Sequence, residues 1–489
     1  DLIYERRFGD CKDMSCLTIN LLKELEIPAY FTWVGTRHIP YGYSTLATPQ
    51  VDNHMIATYI NAKGEKLYLD ATDSYLEFGR PSSFIQGKEV LISLGKDKYL
   101  LEEIPILEAD VNTETDSATI KVEGEKLIGK GRVLFTGYYA SDVYQDFYKG
   151  KTAKLIANFM KKHGGLITKE DLAAYQPTQQ KPIHGTYKGY DIYGMPPPSS
   201  GGVAIIEMLN ILEGFNLEKL GHNSALYLHI LTEVMRTAFA DRAEHIGDPL
   251  FNPDMPVEKL ISKAYADELR PHINWFKAME SDSAKFNQNL LVEESEETTH
   301  FSVVDKAGNA VSLTYTLEQG YGSKITVAGA GFLLNNEMGD FNPIPGLTNA
   351  RGLVGTKPNL VAPEKRMLSS MSPTIVAKNG KPILIIGSPG GRTIINTTLQ
   401  VILNVIDHKM TVAEAIEAPR MHHQWLPDIT SFEKLGISPD TKKMYEMMGH
   451  KIRYRGSQGR AMGIYIDQKE GVFYGAADSR SFDGRAVGY

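Results

Sequence analysis

Two short alternating segments, Thr298 to Asp305 and Ala310 to Thr316, flank the tetrapeptide Lys306-Ala307-Gly308-Asn309. Polar and apolar residues take turns along both, and a Gly-Asn step between them closes a turn, so the stretch reads as a β-hairpin. A two-residue loop would set Lys306 opposite Asn309 and leave Thr298 and Thr316 one residue out of register. A three-residue loop with a glycine bulge would bring the two threonines opposite each other. A threonine hydroxyl is a poor nucleophile without a base beside it. A chain cut before Thr298 would supply that base as a new α-amine, with a pKa of about 8. Taken alone, the same hairpin is what any threonine-rich strand pair forms.

Segments downstream carry what such a nucleophile needs. Pro382 to Ile386 is a short apolar strand run, followed by Gly387-Ser388-Pro389-Gly390-Gly391 and then by the apolar-rich stretch Ile394 to Ile406. A glycine turn that feeds a helix start presents backbone N–H groups, which suit a developing oxyanion. A phosphate cradle or a plain tight turn is the other reading, but no Gly-Lys-Ser/Thr follows, which disfavours a Walker-type loop. Further polar candidates are Asn335-Asn336-Glu337-Met338-Gly339-Asp340 and Met367-Leu368-Ser369-Ser370-Met371-Ser372-Pro373.

From about Asp146 to Tyr489 the chain resembles the γ-glutamyltranspeptidases. The resemblance rests on Leu166 to Leu172, Met195-Pro196-Pro197-Pro198-Ser199-Ser200-Gly201-Gly202, the Thr298 strand, Leu368 to Pro373, Gly387 to Gly391, and Ala418-Pro419-Arg420-Met421-His422-His423-Gln424-Trp425. It implies an α+β fold, the αββα sandwich of an N-terminal nucleophile hydrolase. It also implies a precursor that cuts itself before Thr298 into a large and a small subunit, which stay together as a heterodimer. By that similarity Thr298 is the nucleophile and Thr316 its hydroxyl partner. Glu318, Glu337 and Asp340 bind the α-amino group of a γ-glutamyl donor, Ser369 and Ser370 its carboxylate side, and Gly390 and Gly391 form the oxyanion hole. The acceptor is an amino acid, a peptide or water, glutathione is a typical donor, and the location is periplasmic or extracellular. No metal or cofactor is implied. Nothing before Asp146 matches the N-terminal part of the family's large subunit, with its arginine for the donor carboxylate. The sandwich is therefore expected to be incomplete and donor binding weak, unless another arginine such as Arg392 takes that role.

A different unit stands in front. Gly9-Asp10-Cys11-Lys12-Asp13 opens a helical pattern in which Met14, Leu17, Leu21, Leu22 and Leu25 recur, ending at Ile27-Pro28. Cys11 then lies at a helix N-terminus, where the dipole and orphan N–H groups favour a thiolate. Asp52 to Ile60 and Glu65 to Asp70 read as strands around the turn Asn61-Ala62-Lys63-Gly64. A one-residue bulge there would make His54 and Asp70 neighbours on one face, as a Cys-His-Asp triad needs. Cysteine at a helix start, then histidine and aspartate on consecutive strands, resembles the bacterial transglutaminase-like fold, a papain-like α+β domain shortened at its N-terminus. A buried cysteine and a satisfied strand histidine is the plainer alternative. Cys16 falls off the Cys11 face and reads as core.

These boundaries divide the chain into 1–105 (transglutaminase-like), 106–145 (a small β-unit or linker), 146–297 (the large-subunit part) and 298–489 (the small-subunit part). Apolar residues make up 42% of the chain and charged residues 23%, an ordinary globular composition. A net charge of −7 argues against a nucleic-acid partner. No apolar run approaches the ~18 residues of a membrane span. Residues 341–356, rich in Pro, Gly and Asn, suit a mobile loop, and the resemblance implies a lid over the donor pocket there. Three functions follow: γ-glutamyl transfer or hydrolysis through Thr298, amide hydrolysis or acyl transfer through Cys11, His54 and Asp70, or an inactive fusion of two fragments.

Overall fold

A computed structural model of the chain describes residues 10–72, 76, 78–107, 114–123, 126–135, 137–281, 297–342, 356–481 and 484–488. It divides into two compact units, Asp1–Gln176 and Pro177–Tyr489.

In the first unit, helix α1 (Cys11–Glu24) begins where Asp10 caps it. The Asp10 carboxylate accepts from the N–H groups of Lys12 (2.9 Å) and Asp13 (3.0 Å), and Asp13 reciprocates to complete a capping box. Strands β1 (Ala29–Val34), β2 (His54–Ile60), β3 (Lys66–Leu69), β4 (Glu89–Gly95) and β5 (Lys98–Glu103) form an antiparallel sheet in the order β3-β2-β1-β4-β5. Val34, Ile56, Ile85, Val90, Ile92 and Ile104 make its core. The leucine stripe expected to bury α1 does not do so, since Leu21 and Leu25 are 56% and 69% exposed. Ser15 is the buried position instead, and its hydroxyl donates to the carbonyls of Cys11 (2.7 Å) and Met55 (2.9 Å). A small hydroxyl lets the helix approach β2 more closely than a leucine would. A two-stranded ribbon, β6 (Glu114–Glu123) with β7 (Lys126–Phe135), follows, then helices α2 (Gly137–Lys149), α3 (Lys151–His163) and α4 (Lys169–Ala174).

The second unit is built on a six-stranded antiparallel sheet. Its strands are β8 (Ile183–Tyr187), β9 (Tyr190–Gly194), β12 (Thr374–Lys378), β13 (Lys381–Gly387), β17 (Met462–Asp467) and β18 (Val472–Ala477), in the order β18-β17-β13-β12-β9-β8. Helices α5 (Gly201–Leu212), α6 (Ala225–His245) and α7 (Thr393–Ile406) share one core with this sheet, where Leu384 and Ile386 join Leu209, Leu231, Leu399 and Ile402. Of the apolar positions of α6 that read as core, Leu228, Ile230, Leu231, Val234 and Met235 are buried, while Leu226 is only half-buried. A small sheet of β14 (Met421–His422), β15 (Thr430–Glu433) and β16 (Ile452–Arg455) completes the unit.

The hairpin read from the sequence is present as β10 (Thr299–Val304) and β11 (Ala310–Tyr315), with Thr299 opposite Tyr315 and Val304 opposite Ala310. The loop turns through Gly308 at φ +86°, the left-handed glycine of a bulged three-residue loop. Extending that register sets Thr298 opposite Thr316. Residues 282–296, just ahead of Glu297, lie outside the described residues, as do residues 343–355 of the expected lid.

The front hairpin corrects its expected register. Ala57 faces Leu69 and Ile60 faces Lys66, around a three-residue loop closed by Gly64 at φ +83°. A bulge is present, but it shifts the strands the other way. Asp70 therefore falls opposite Ile56, and His54 is its diagonal neighbour rather than its direct partner.

Candidate active site

The hairpin turns a polar face inward. His300 is buried, and its Nδ1 lies 2.8 Å from Thr314 Oγ1 and its Nε2 3.1 Å from Ser302 Oγ. Ser312 donates to the carbonyl of Ile386 (3.1 Å) and Ser302 to that of Met462 (3.4 Å), which seats the ribbon on β13 and β17. Burial pushes the His300 imidazole down to about 4, so it is neutral. Its ring occupies the space a side chain on Gly387 would need, because a Cβ there would fall 2.3 Å from Cε1. Gly387→Ala is accordingly expected to displace the hairpin and destabilise the unit by roughly 1–3 kcal/mol, read as a lowered urea midpoint. A midpoint equal to wild type would contradict this packing.

At the head of the ribbon two hydroxyls converge on one carbonyl. Thr298 Oγ1 donates to the Glu297 oxygen at 2.5 Å and Thr316 Oγ1 to the same oxygen at 3.3 Å. Thr316 Oγ1 also accepts the N–H of Glu318 at 2.8 Å. The bond between Glu297 and Thr298 is thus a peptide whose carbonyl is polarised by its own neighbour and by the facing strand.

The acidic candidates gather next to it. Glu318 holds a left-handed backbone (φ +74°), a strained conformation for a residue with a side chain, and Asn336 Nδ2 donates to its carboxylate. Burial, together with the charges of Asp340 and Glu318, pushes the Glu337 carboxyl up to about 8, and its Oε1 meets no hydrogen-bond partner among the described residues. Asn359 ties this cluster to the serines, donating to the Asp340 carbonyl (2.7 Å) and accepting from the N–H of Leu368 (2.9 Å). Ser370 Oγ receives Arg242 Nη2 at 3.0 Å, and Arg242 Nε reaches Ser200 Oγ at 2.8 Å. The Ser369 carbonyl is taken up by Ser200, while its hydroxyl accepts the N–H of Met371 at 3.1 Å. On the other side, Gly390 and Gly391 lead into α7, with Thr393 Oγ1 donating to the Gly390 carbonyl at 2.6 Å. Arg460 spans from this turn to the Glu297–Thr298 peptide, its N–H on Ser388 Oγ (2.9 Å) and its guanidinium 3.5 Å from the Glu297 carboxylate.

In the first unit His54 Nε2 lies 2.9 Å from Asp70 Oδ2 despite the diagonal register. Burial alone would raise the Asp70 carboxyl, but hydrogen bonds from His54, Ser82 (2.6 Å) and Thr72 (2.6 Å) outweigh it and hold it below the usual range. Cys11 sits one turn before Ser15, whose hydroxyl touches the residue after His54. Cys11 and Cys16 are both half-buried free thiols.

His300, Asn359, Arg242 and Arg460 escaped the reading of the sequence, whereas Asn336 lay within a segment already named for its polar candidates. Arg242 lies in the last turn of a buried helix, and nothing local to it announces the serine loop that it meets 128 residues later.

The gamma-glutamyltranspeptidase profile matches residues 138–489. The glutathione hydrolase proenzyme of Escherichia coli is 48% identical over 385 residues, 77% of this chain and 66% of that protein. That of Bacillus subtilis is 38% identical over 380 residues, 75% of this chain and 62% of its own length. Among solved structures, a cephalosporin acylase from Bacillus halodurans superposes with a TM-score of 0.61 at 29% identity, over 72% of this chain and 60% of that one. The chain therefore spans somewhat less than two thirds of the length of these relatives.

Proposed function

Since this chain belongs to the gamma-glutamyltranspeptidase family, we propose that it cleaves itself before Thr298 and then transfers or hydrolyses γ-glutamyl groups through that threonine. The observation that carries this reading is the pair of hydroxyls on the Glu297 carbonyl. In the first step Thr298 Oγ attacks the Glu297 carbonyl carbon. The peptide C–N bond breaks, its nitrogen takes the proton and becomes the Thr298 α-amine, and water hydrolyses the resulting ester. The freed amine is then the base that takes the Thr298 hydroxyl proton as Oγ attacks a donor's γ-carbonyl. N–H groups of Gly390 and Gly391 meet the oxyanion, the leaving amine takes the proton, and an acyl-Thr298 ester remains for water or an amino acid to resolve.

Glu318, Glu337 and Asp340 hold the donor's ammonium in this reading. Ser369 and Ser370 take its carboxylate, with Arg242 behind Ser370 supplying the positive charge. Glutathione and similar γ-glutamyl compounds are the donors, and a periplasmic or extracellular location goes with that chemistry. No helix among the described residues is long and apolar enough to cross a membrane. Release of the chromophore from a γ-glutamyl anilide by the self-cleaved chain tests the proposal. A cleaved, folded chain without such turnover would refute it.

The first unit supports a second, separate reading as a transglutaminase-like cysteine site. The His54–Asp70 bond, with Thr72 and Ser82 closing round the carboxylate, orients His54 so that its Nδ1 is the nitrogen left for a thiol. Cys11 should accordingly be alkylated faster than Cys16, and His54→Ala should remove the difference. Equal labelling of both thiols by mass spectrometry would make Cys11 an ordinary cysteine.

A further inference from the structure

Helix α6 carries a group of polar side chains inside the core that the proposed chemistry does not use. His229 and Glu233 lie one turn apart on it, both fully buried, and His450, before β16, closes on them. One donor atom from each of the three lies within 4.8 Å of the others. Such a constellation in a buried interior needs a reason, because a polar group left without a partner there is costly.

Hydrogen bonding accounts for it only in part. His229 Nε2 lies 2.6 Å from the Asn274 carbonyl, so that nitrogen carries the proton and Nδ1 presents its lone pair. His450 Nε2 stands 2.7 Å from that lone pair, while its Nδ1 meets no partner among the described residues. Glu233 accepts the N–H of Met279 at 2.7 Å, but its bonds from Arg236 are 3.3 and 3.4 Å, long for such a donor. Arg236 is engaged more closely by Asp428, which also takes His423 Nε2 at 3.2 Å and the N–H of Ser281 at 2.9 Å.

Arg236 is shared between two carboxylates, its closer contact going to Asp428 and the longer one to Glu233. Both Glu233 oxygens face donors, and the same buried pocket brings that carboxylate towards two converging imidazole nitrogens, an arrangement that a bound cation would draw together.

We propose that His229 Nδ1, His450 Nε2 and a Glu233 oxygen bind a zinc ion. Two imidazoles and a carboxylate are a zinc donor set. The Asn274 carbonyl on His229 Nε2 is the outer contact that fixes a ligand's tautomer. Zinc–nitrogen bonds of about 2.0–2.1 Å set two tetrahedral ligands somewhat over 3 Å apart. The histidine nitrogens need only open by roughly half an ångström. The ion would join α6 to the loop before β16, a structural role independent of Thr298.

The test uses the full chain without an affinity tag and with both cysteines changed to serine, so that no thiol competes. After chelation and dialysis it is expected to retain one zinc per chain, and with cobalt to show visible bands of a site of low coordination number without a thiolate band. His450→Gln should weaken zinc by about 100-fold or more, whereas His184→Gln, on the surface, should not change it. Zinc-edge X-ray absorption on the unchanged ligand set, which needs no folded variant, should show two imidazoles. A folded chain that retains less than a tenth of an equivalent, an unchanged affinity in His450→Gln, or a spectrum without histidine scattering would each overturn the proposal.

Discussion

Thr298→Ala is expected to leave the chain whole at 54.3 kDa, under conditions in which the wild type should yield a C-terminal piece of 192 residues that begins with threonine. The side chain removed is the one whose hydroxyl lies 2.5 Å from the oxygen of the carbonyl whose carbon it is to attack. No other described hydroxyl lies as close to that carbonyl. Losing a nucleophile costs on the order of 10⁴-fold or more in rate, so cleavage should fall below detection in an overnight incubation followed by intact-mass analysis. Thr316→Ala removes only one donor from the Glu297 carbonyl, at 3.3 Å. The expected loss is smaller, of the size seen for a single oxyanion donor, about 10²–10³-fold. Cleavage of Thr298→Ala at the wild-type rate would show that another group cuts the chain. It would remove the ground for reading the hairpin as a processing site.

Affinity for the amino-acid part of the donor should rise with pH, and Glu337 is the reason. Burial and the neighbouring charges of Asp340 and Glu318 hold its carboxyl up at about 8, so at pH 6 it is protonated and the cluster lacks one negative charge. An ammonium group bound there gains a partner as pH passes through about 8. A charge-assisted contact contributes roughly 1.5–3 kcal/mol, and ~1.4 kcal/mol is ten-fold in affinity. Competitive inhibition by L-glutamate, which needs no turnover, should therefore tighten by about ten-fold or more between pH 6 and pH 8.5. Glu337→Gln should be flat across that range. A wild-type inhibition constant indifferent to pH would mean that the cluster does not hold the amine. The same shift has the opposite sign for folding. A carboxyl with a raised folded value stabilises at low pH, and that contribution is lost as pH rises from about 4.5, its ordinary value, through about 8.

Much of the local structure was legible in the chain. Alternation marked β10 and β11, and a left-handed glycine in a three-residue loop was foreseeable from Lys306-Ala307-Gly308-Asn309, because few other residues tolerate that backbone. The capping boxes at Asp10 and at Thr168, each completed by an aspartate three residues on (Asp13 or Asp171), are likewise local patterns, though they come from the structure and were not read from the chain. The same kind of reasoning failed at the front hairpin. Asn61 to Gly64 allowed a bulge on either side of the expected register. The strands take the one that pairs Ala57 with Leu69, and side-chain length alone lets His54 still reach Asp70. The leucines of α1 misled for a related reason. Periodicity shows that a helix has a face, but Ser15, which suits close approach to β2, decided which face is buried.

By itself, then, the sequence determined the elements that depend on neighbours along the chain: turns, caps, the alternation of strands, and the threonine, glycine and serine motifs. Tertiary structure alone decided which of these meet. Arg242 on Ser370, Asn359 between Asp340 and Leu368, Arg460 beside Glu297, and His450 against His229 join residues separated by between 9 and 221 positions. Their pairing follows from how a sheet and its helices exclude water, and that packing leaves no periodic trace in the chain. The raised carboxyl of Glu337 and the lowered imidazole of His300 belong to the same class, since desolvation depends on what surrounds a group in space rather than in sequence.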